Sequence, residues 1–145
     1  MGIVDALKGM VHAVTGKAAD IELKKYHGKL APEAMIFVRV VVTANRHLTS
    51  DGVFVDMHGE DDLEENVVQK LAEVFKPDPE LTYRVSKPFE LQAGESKTFE
   101  NVVGLPASFD TKRTWLIRAR VEAFGNDPDT GFMIYEEGKH NPTIA

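Results

Sequence analysis

The chain predicts a mainly β protein, an antiparallel β-sandwich with an N-terminal amphipathic helix and one internal helix. Three observations carry this. Over the stretch TWLIRARVEAF, residues 114–124, Trp115, Ile117, Ala119, Val121 and Ala123 alternate with Arg118, Arg120 and Glu122. That period of two marks a long antiparallel strand with one face in a core and the other near water. About seven such short segments are separated by turns rather than by helices, which argues against a parallel α/β sheet. Finally, 145 residues with 43% hydrophobic and 28% charged content suit one soluble domain with a sizeable core.

In order, residues 2–15 read as an amphipathic helix, with Ile3, Leu7, Met10, Val11 and Val14 on one stripe and Gly16 as its stop. Residues 18–26 alternate as a first strand, and His27 to Pro32 turn the chain. The run AMIFVRVVVTA, 34–44, is almost continuously apolar, which places it in the middle of a sheet, covered on both faces along part of its length. Residues 45–51 read as a loop and 52–58 as a strand with Val53, Val55 and Met57 on one side. The acidic run 60–65 leads into a helix of about three turns with a stripe of Leu63, Val67, Leu71, Val74 and Phe75. Pro77 and Pro79 end it. Residues 81–91 are extended, with Pro88 pointing to an edge or a bulge. Gly94 marks a tight turn, 96–103 a strand, 125–131 a turn and 132–136 a last strand. The expected organisation is a helix over 1–16, a sandwich domain over 17–137 and a tail over 138–145.

A net charge of -6 without any cluster of Lys and Arg argues against a nucleic-acid partner. The chain has no cysteine, which excludes disulfides and thiolate chemistry and fits a reducing compartment. No stretch approaches the roughly 20 apolar residues of a spanning helix. Asp5, Lys8 and His12 interrupt what would be the apolar region of a secretory signal. A cytoplasmic protein is expected, with membrane contact unlooked for.

Two segments share one plan of strand, tight turn, Glu and strand: LKKYHGKLAPEAMIFVRVVV and KPFELQAGESKTFENVV. The second runs through GLPASF into the strand that opens on Trp115, and the helix QKLAEVF precedes an extended segment. This order resembles arrestin-like domains, of the broader immunoglobulin-like sandwich type, and among them the bacterial sporulation-control family. The first turn departs from the pattern, with Ala31-Pro32-Glu33 where Pro-Gly-Glu is usual. The chain departs also in having one sandwich where arrestins carry two, and the resemblance implies a scaffold or regulatory binding module rather than an enzyme.

The residues themselves offer no catalytic constellation. His12, His27, His47, His58 and His140 are scattered singly, and no serine sits in a Gly-x-Ser-x-Gly elbow. No acidic residue is expected inside an apolar run, so none is expected with the raised pKa of a general acid. Asp127 and Asp129 before Gly131 read as a hairpin turn, since no glutamate follows at the twelfth position of a calcium loop. No cofactor and no metal are expected. Arg39 inside IFVRVVV either carries its head to solvent or forms a buried, switch-like ion pair. The function expected is a non-catalytic interaction or regulatory module. It would bind a protein or peptide through the Ile3, Leu7, Met10 and Val11 stripe or through a sheet edge. The alternative is a small-ligand or metal-binding sandwich using His47, His58 and Asp127. Self-association is left open.

Overall fold

Branched and aromatic residues at period two build two antiparallel sheets. The computed structural model describes residues 18–61, 65–75, 77–123 and 127–137. The expected N-terminal helix and C-terminal tail lie outside the described residues. One sheet has the order β1 (Ala19–His27), β2 (Met35–Ala44), β6 (Ser96–Gly104). The other runs β4 (Leu81–Arg84), β3 (Leu48–Glu60), β7 (Thr114–Ala123), β8 (Met133–Ile134), and β5 (Phe89–Leu91) also pairs with β3. One helix, α1 (Glu65–Phe75), connects β3 to β4.

The core lies between the sheets. Ile36, Val38, Val40 and Val42 of β2 meet Val53, Val55 and Met57 of β3 and Trp115, Ile117, Ala119 and Val121 of β7, all buried. Fully burying one such aliphatic side chain contributes roughly 1.5–3 kcal/mol, so this layer dominates the stability of the fold. Trp115 stacks 4.3 Å from Phe109, and its indole N–H donates to the Asp110 carbonyl at 2.7 Å. On the β1/β8 side Tyr26 and Tyr135 close the sandwich, ring centroids 4.6 Å apart, with the Tyr135 hydroxyl donating to the Gly28 carbonyl. Burial, with Tyr26 and Glu137 nearby, holds the Tyr135 hydroxyl well above its ordinary pKa.

The repeated strand–turn–strand plan produces two matched turns. Ala34 N–H donates to Ala31 and Glu95 N–H to Gln92, each with a positive φ at the third residue, Glu33 (61°) and Gly94 (86°). A positive φ suits glycine and strains glutamate. Each turn then binds the end of the other's strand: Leu105 N–H to Ala34, and Gly94 N–H to Ala44.

Four expectations are corrected. The segment 45–51 is not all loop, because β3 already begins at Leu48 and absorbs an irregularity between Ser50 and Gly52, where φ is 143°. The extended stretch 81–91 is two strands on the same side of β3, with Pro88 in the break between them. The helix stripe is turned by about one residue, since Val68 and Ala72 are buried while Val67 is 40% exposed. The side chains of Val74 and Phe75, and Leu63 as a whole, lie outside what the structure describes. Lastly, β2 is the middle strand of its sheet, but only its inner face is fully covered, its outer residues being half-buried or exposed.

Candidate functional site

The two sheets turn different outer faces to their surroundings. On the outer face of the larger sheet, Val68 and Ala72 of α1 cover Leu116, Phe132 and Ile134. Gln69 lies on the same helix. Its carboxamide donates to the Phe132 carbonyl and accepts from the Ile134 N–H, both at 3.1 Å. That is the pair of bonds a neighbouring strand would make, so Gln69 closes the margin of β8.

Beside the helix lies an ionic cluster. Asp56 of β3 is fully buried. Its Oδ2 accepts from Arg118 Nε (3.0 Å) and Nη2 (2.6 Å) and from Arg120 Nε (2.8 Å), and its Oδ1 accepts from the Thr82 hydroxyl at 2.8 Å. Both guanidinium groups lie over aromatic rings, Arg118 4.5 Å from Phe132 and Arg120 4.9 Å from Phe54, with Arg84 4.6 Å from the Phe54 ring. Burial alone would lower the Arg120 pKa. Its bond to Asp56 and the charges of Asp56 and Glu122 outweigh that and raise it. Two cations and a hydroxyl thus take up most of the acceptor sites of this carboxylate. Chemically the cluster is a clamp on β3, β4 and β7.

A second cluster closes the far end of β3. His58 Nε2 is 2.7 Å from Glu60, and its Nδ1 is 2.9 Å from the Asp78 carbonyl and 3.3 Å from Glu80. Glu80 grips Arg113 through two bonds at 2.7 and 2.8 Å, and Arg113 also donates to the Gly59 carbonyl. The hydrogen bond from Arg113 is the main reason the Glu80 carboxyl is held below its ordinary pKa, burial opposing it. The Arg113 pKa is raised in turn.

The outer face of the smaller sheet is built otherwise. Phe37 lies opposite Val102, Arg39 opposite Glu100 and Val41 opposite Thr98. Arg39 bonds Glu100 and lies 5.6 Å over Phe37, and His27 stacks on that ring at 5.1 Å. Met35 is 61% and Val102 48% exposed, with Phe37 and Val41 half-buried between. Met35, Phe37 and Val102 leave an apolar patch in view, and the Arg39–Glu100 pair separates it from Val41.

The margins of both sheets are blunted. β1 carries a bulge between Leu23 and Lys25, with Lys25 turned to a buried position. The Asn101 side chain accepts from the Val102 N–H on β6 and donates to the Arg84 and Val85 carbonyls. β4 and β5 are broken at Pro88, and Gln69 covers β8. Such devices oppose the addition of an outside strand.

Of the expected site residues, Ile3, Leu7, Met10 and Val11 lie outside the described residues. The alternative site is not assembled. His47 bonds Glu90 just before β3, and His58 lies eleven positions on, roughly 35 Å along an extended chain. Asp127 accepts from the Ala123 N–H in a turn, where Asp129 likewise accepts from Gly131. Among the described residues no group of three or more His, Cys, Asp or Glu is placed to hold a metal ion. Arg39 pairs at the surface, its side chain 29% and that of Glu100 46% exposed, so of its two readings the solvent-facing head holds and the buried switch-like pair does not. The buried pair is at Asp56, inside the apolar run VFVDM where no acid was expected. The signal was available: an acid flanked by the core residues Val55 and Met57, and two arginines one period apart on β7.

No protein-family model matches the chain, and no curated protein matches it. Among solved structures it is similar to Spo0M, a sporulation control protein from Bacillus subtilis, with a TM-score of 0.54 and 15% identity. The match covers 81% of this chain and 48% of that one, so the chain spans about half the length of that protein. At this identity the likeness is one of fold. Among the described residues no helix is long and apolar enough to cross a membrane.

Proposed function

We propose that the chain is a non-catalytic, arrestin-like interaction module with a regulatory role in the cytoplasm. The observation that carries the reading is the apolar patch of Met35, Phe37 and Val102, which no described residue covers, on a sheet whose margins are blunted. An exposed apolar patch bordered by charge is where a soluble protein meets a partner. Blunted margins favour docking on the face over strand addition, which narrows the expectation of an edge-bound peptide. The fold shared with a sporulation control protein supports a regulatory role. The clusters at Asp56 and Glu80 serve as structure in this reading, their groups being bonded to one another.

The test compares proteins captured from host extract by the wild-type chain and by a Met35→Glu/Val102→Glu variant, with circular dichroism as the check on folding. Loss of a discrete partner from the folded variant is expected. An unchanged set of partners removes this face from the function.

A further inference from the structure

The bulge in β1 decides which way Lys25 points. Beyond it, Tyr26 lies opposite Val38 in the core, whereas Lys25 lies opposite Arg39 and His27 opposite Phe37, on the outer face of the smaller sheet. Bulges re-aim side chains and recur next to functional sites. Lys25 is only 7% exposed, yet its ammonium makes no hydrogen bond or ion pair among the described residues. That ammonium still reaches the surface, since among the described residues only Arg113 Nε is a fully enclosed side-chain nitrogen or oxygen without a bond. Arg39 is held by Glu100 through its Nε alone, which leaves its Nη donors open to the same surface. The acids of β1 are taken elsewhere, Glu22 by Lys24 at 3.4 Å and Asp20 by Asn45 at 3.2 Å. Two like charges directly opposite in an antiparallel pair, Cα atoms about 4.5–5.5 Å apart, repel and destabilise the pairing until an anion joins them. We propose that Lys25 and Arg39 form a carboxylate-binding subsite at the border of the Met35, Phe37 and Val102 patch. The partner is a protein segment that carries an acidic side chain close to an apolar one.

Charge selects this occupant. Across the row Lys25, Arg39 and Glu100, two cations and one carboxylate leave a single positive charge. That suits the single negative charge of Asp or Glu. A phosphate group, at about −1.5 to −2, would crowd excess negative charge beside Glu100. A carboxylate also accepts at two oxygens, one for an ammonium and one for a guanidinium. Spacing agrees as well. Phe37 stands two positions from Arg39 along β2, about 7 Å, and side chains two apart in an extended segment are separated by the same distance. An acid-x-apolar segment therefore meets both parts of the surface at once. The apolar half of this contact rests on the interaction reading above, whereas the carboxylate subsite stands on Lys25 and Arg39.

Random peptides displayed on phage and selected on the immobilised full chain test this. The selected peptides are expected to share an acid-x-apolar core. A synthetic peptide of that consensus is then titrated by fluorescence anisotropy against the wild type and against Lys25→Met, with circular dichroism as the check on folding. Lys25→Met is expected to weaken binding about tenfold or more, as loss of a hydrogen bond between charged groups does. Changing the peptide's acid to its amide is expected to cost the wild type a similar factor and the Lys25→Met protein far less, because the two changes remove one interaction. Arg39→Gln is expected to act in the same direction and serves as the second variant should Lys25→Met not fold. Full affinity in both folded variants overturns the proposal. Selected peptides without an acid, whose binding is lost in Met35→Ser/Val102→Ser, overturn the subsite and keep the docking face. Acidic peptides that bind Met35→Ser/Val102→Ser as tightly as the wild type, yet need Lys25, keep the subsite and remove the apolar face. No enrichment of any peptide, with Lys25-dependent binding to phosphatidylserine vesicles instead, overturns the proposal in favour of an anionic lipid surface.

Discussion

Asp56 and Arg39 each put a charge on the outward side of an apolar strand, one in each sheet. Arg39 keeps its head at the surface and pairs with a half-exposed Glu100. Asp56 has no exposure at all and is met by two guanidinium groups and a hydroxyl. Their local sequences, FVRVV and FVDMH, give no reason for such different fates. The difference comes from what lies above each strand. Phe132, packed against α1, lies over the Arg118 guanidinium and Phe54 over that of Arg120, so the partners of Asp56 are themselves shielded, whereas Arg39 has only the Phe37 ring beside it and keeps its head in water. An ion pair gains little where water competes and becomes indispensable where water is shut out.

The sharpest way to break this comparison is Asp56→Asn. It leaves Arg118 and Arg120 without their carboxylate, and a loss of about 3–5 kcal/mol is expected from urea unfolding. Replacing Asp56, Arg118 and Arg120 together by Leu and Met should recover most of that, because the penalty lies in the unpaired charges. A loss under about 1 kcal/mol for Asp56→Asn would make that face a wet surface like the other. Next in size is Gln69→Ala, which strips partners from the Ile134 N–H and the Phe132 carbonyl. A loss of about 1–3 kcal/mol is expected, with faster hydrogen exchange at Ile134.

Acid should weaken the covered side first. The Glu80 pKa is lowered by Arg113, so its contribution is complete above the ordinary glutamate value of 4.5 and is lost as pH falls through the folded value. Glu80→Gln should flatten the stability profile below that pH, and an unaltered profile would deny Glu80 the role. On the open side Glu100→Gln is expected to change stability by no more than about 1 kcal/mol, fading in high salt. Smallest of all, Met35→Glu/Val102→Glu should stay within about 0.5 kcal/mol per site. A larger loss there would mean the patch is buried rather than open.

Much of the scaffold was legible in the sequence. The period of two over 114–123 placed Trp115, Ile117, Ala119 and Val121 in the core, and Gly94, Pro88 and Pro77 marked breaks that the chain respects. These are local properties, carried by side-chain alternation and backbone sterics within a few residues. What alternation does not carry is the fate of the second face. Arg118 and Arg120 were expected near water because they alternate with core residues, yet they are mostly covered and the Asp56 between them is fully buried. The choice of Val68 over Val67 as the inward residue of α1 is of the same kind. Each depends on which element comes to lie across a sheet, and that is decided by contacts between residues more than sixty positions apart, such as Arg118 with Asp56 and Gln69 with Ile134. Sequence alone determined which side chains alternate and where the chain must turn. Only the tertiary structure decided which of the two outer faces stays dry, because exclusion of water is a property of the assembled layers and of no single strand.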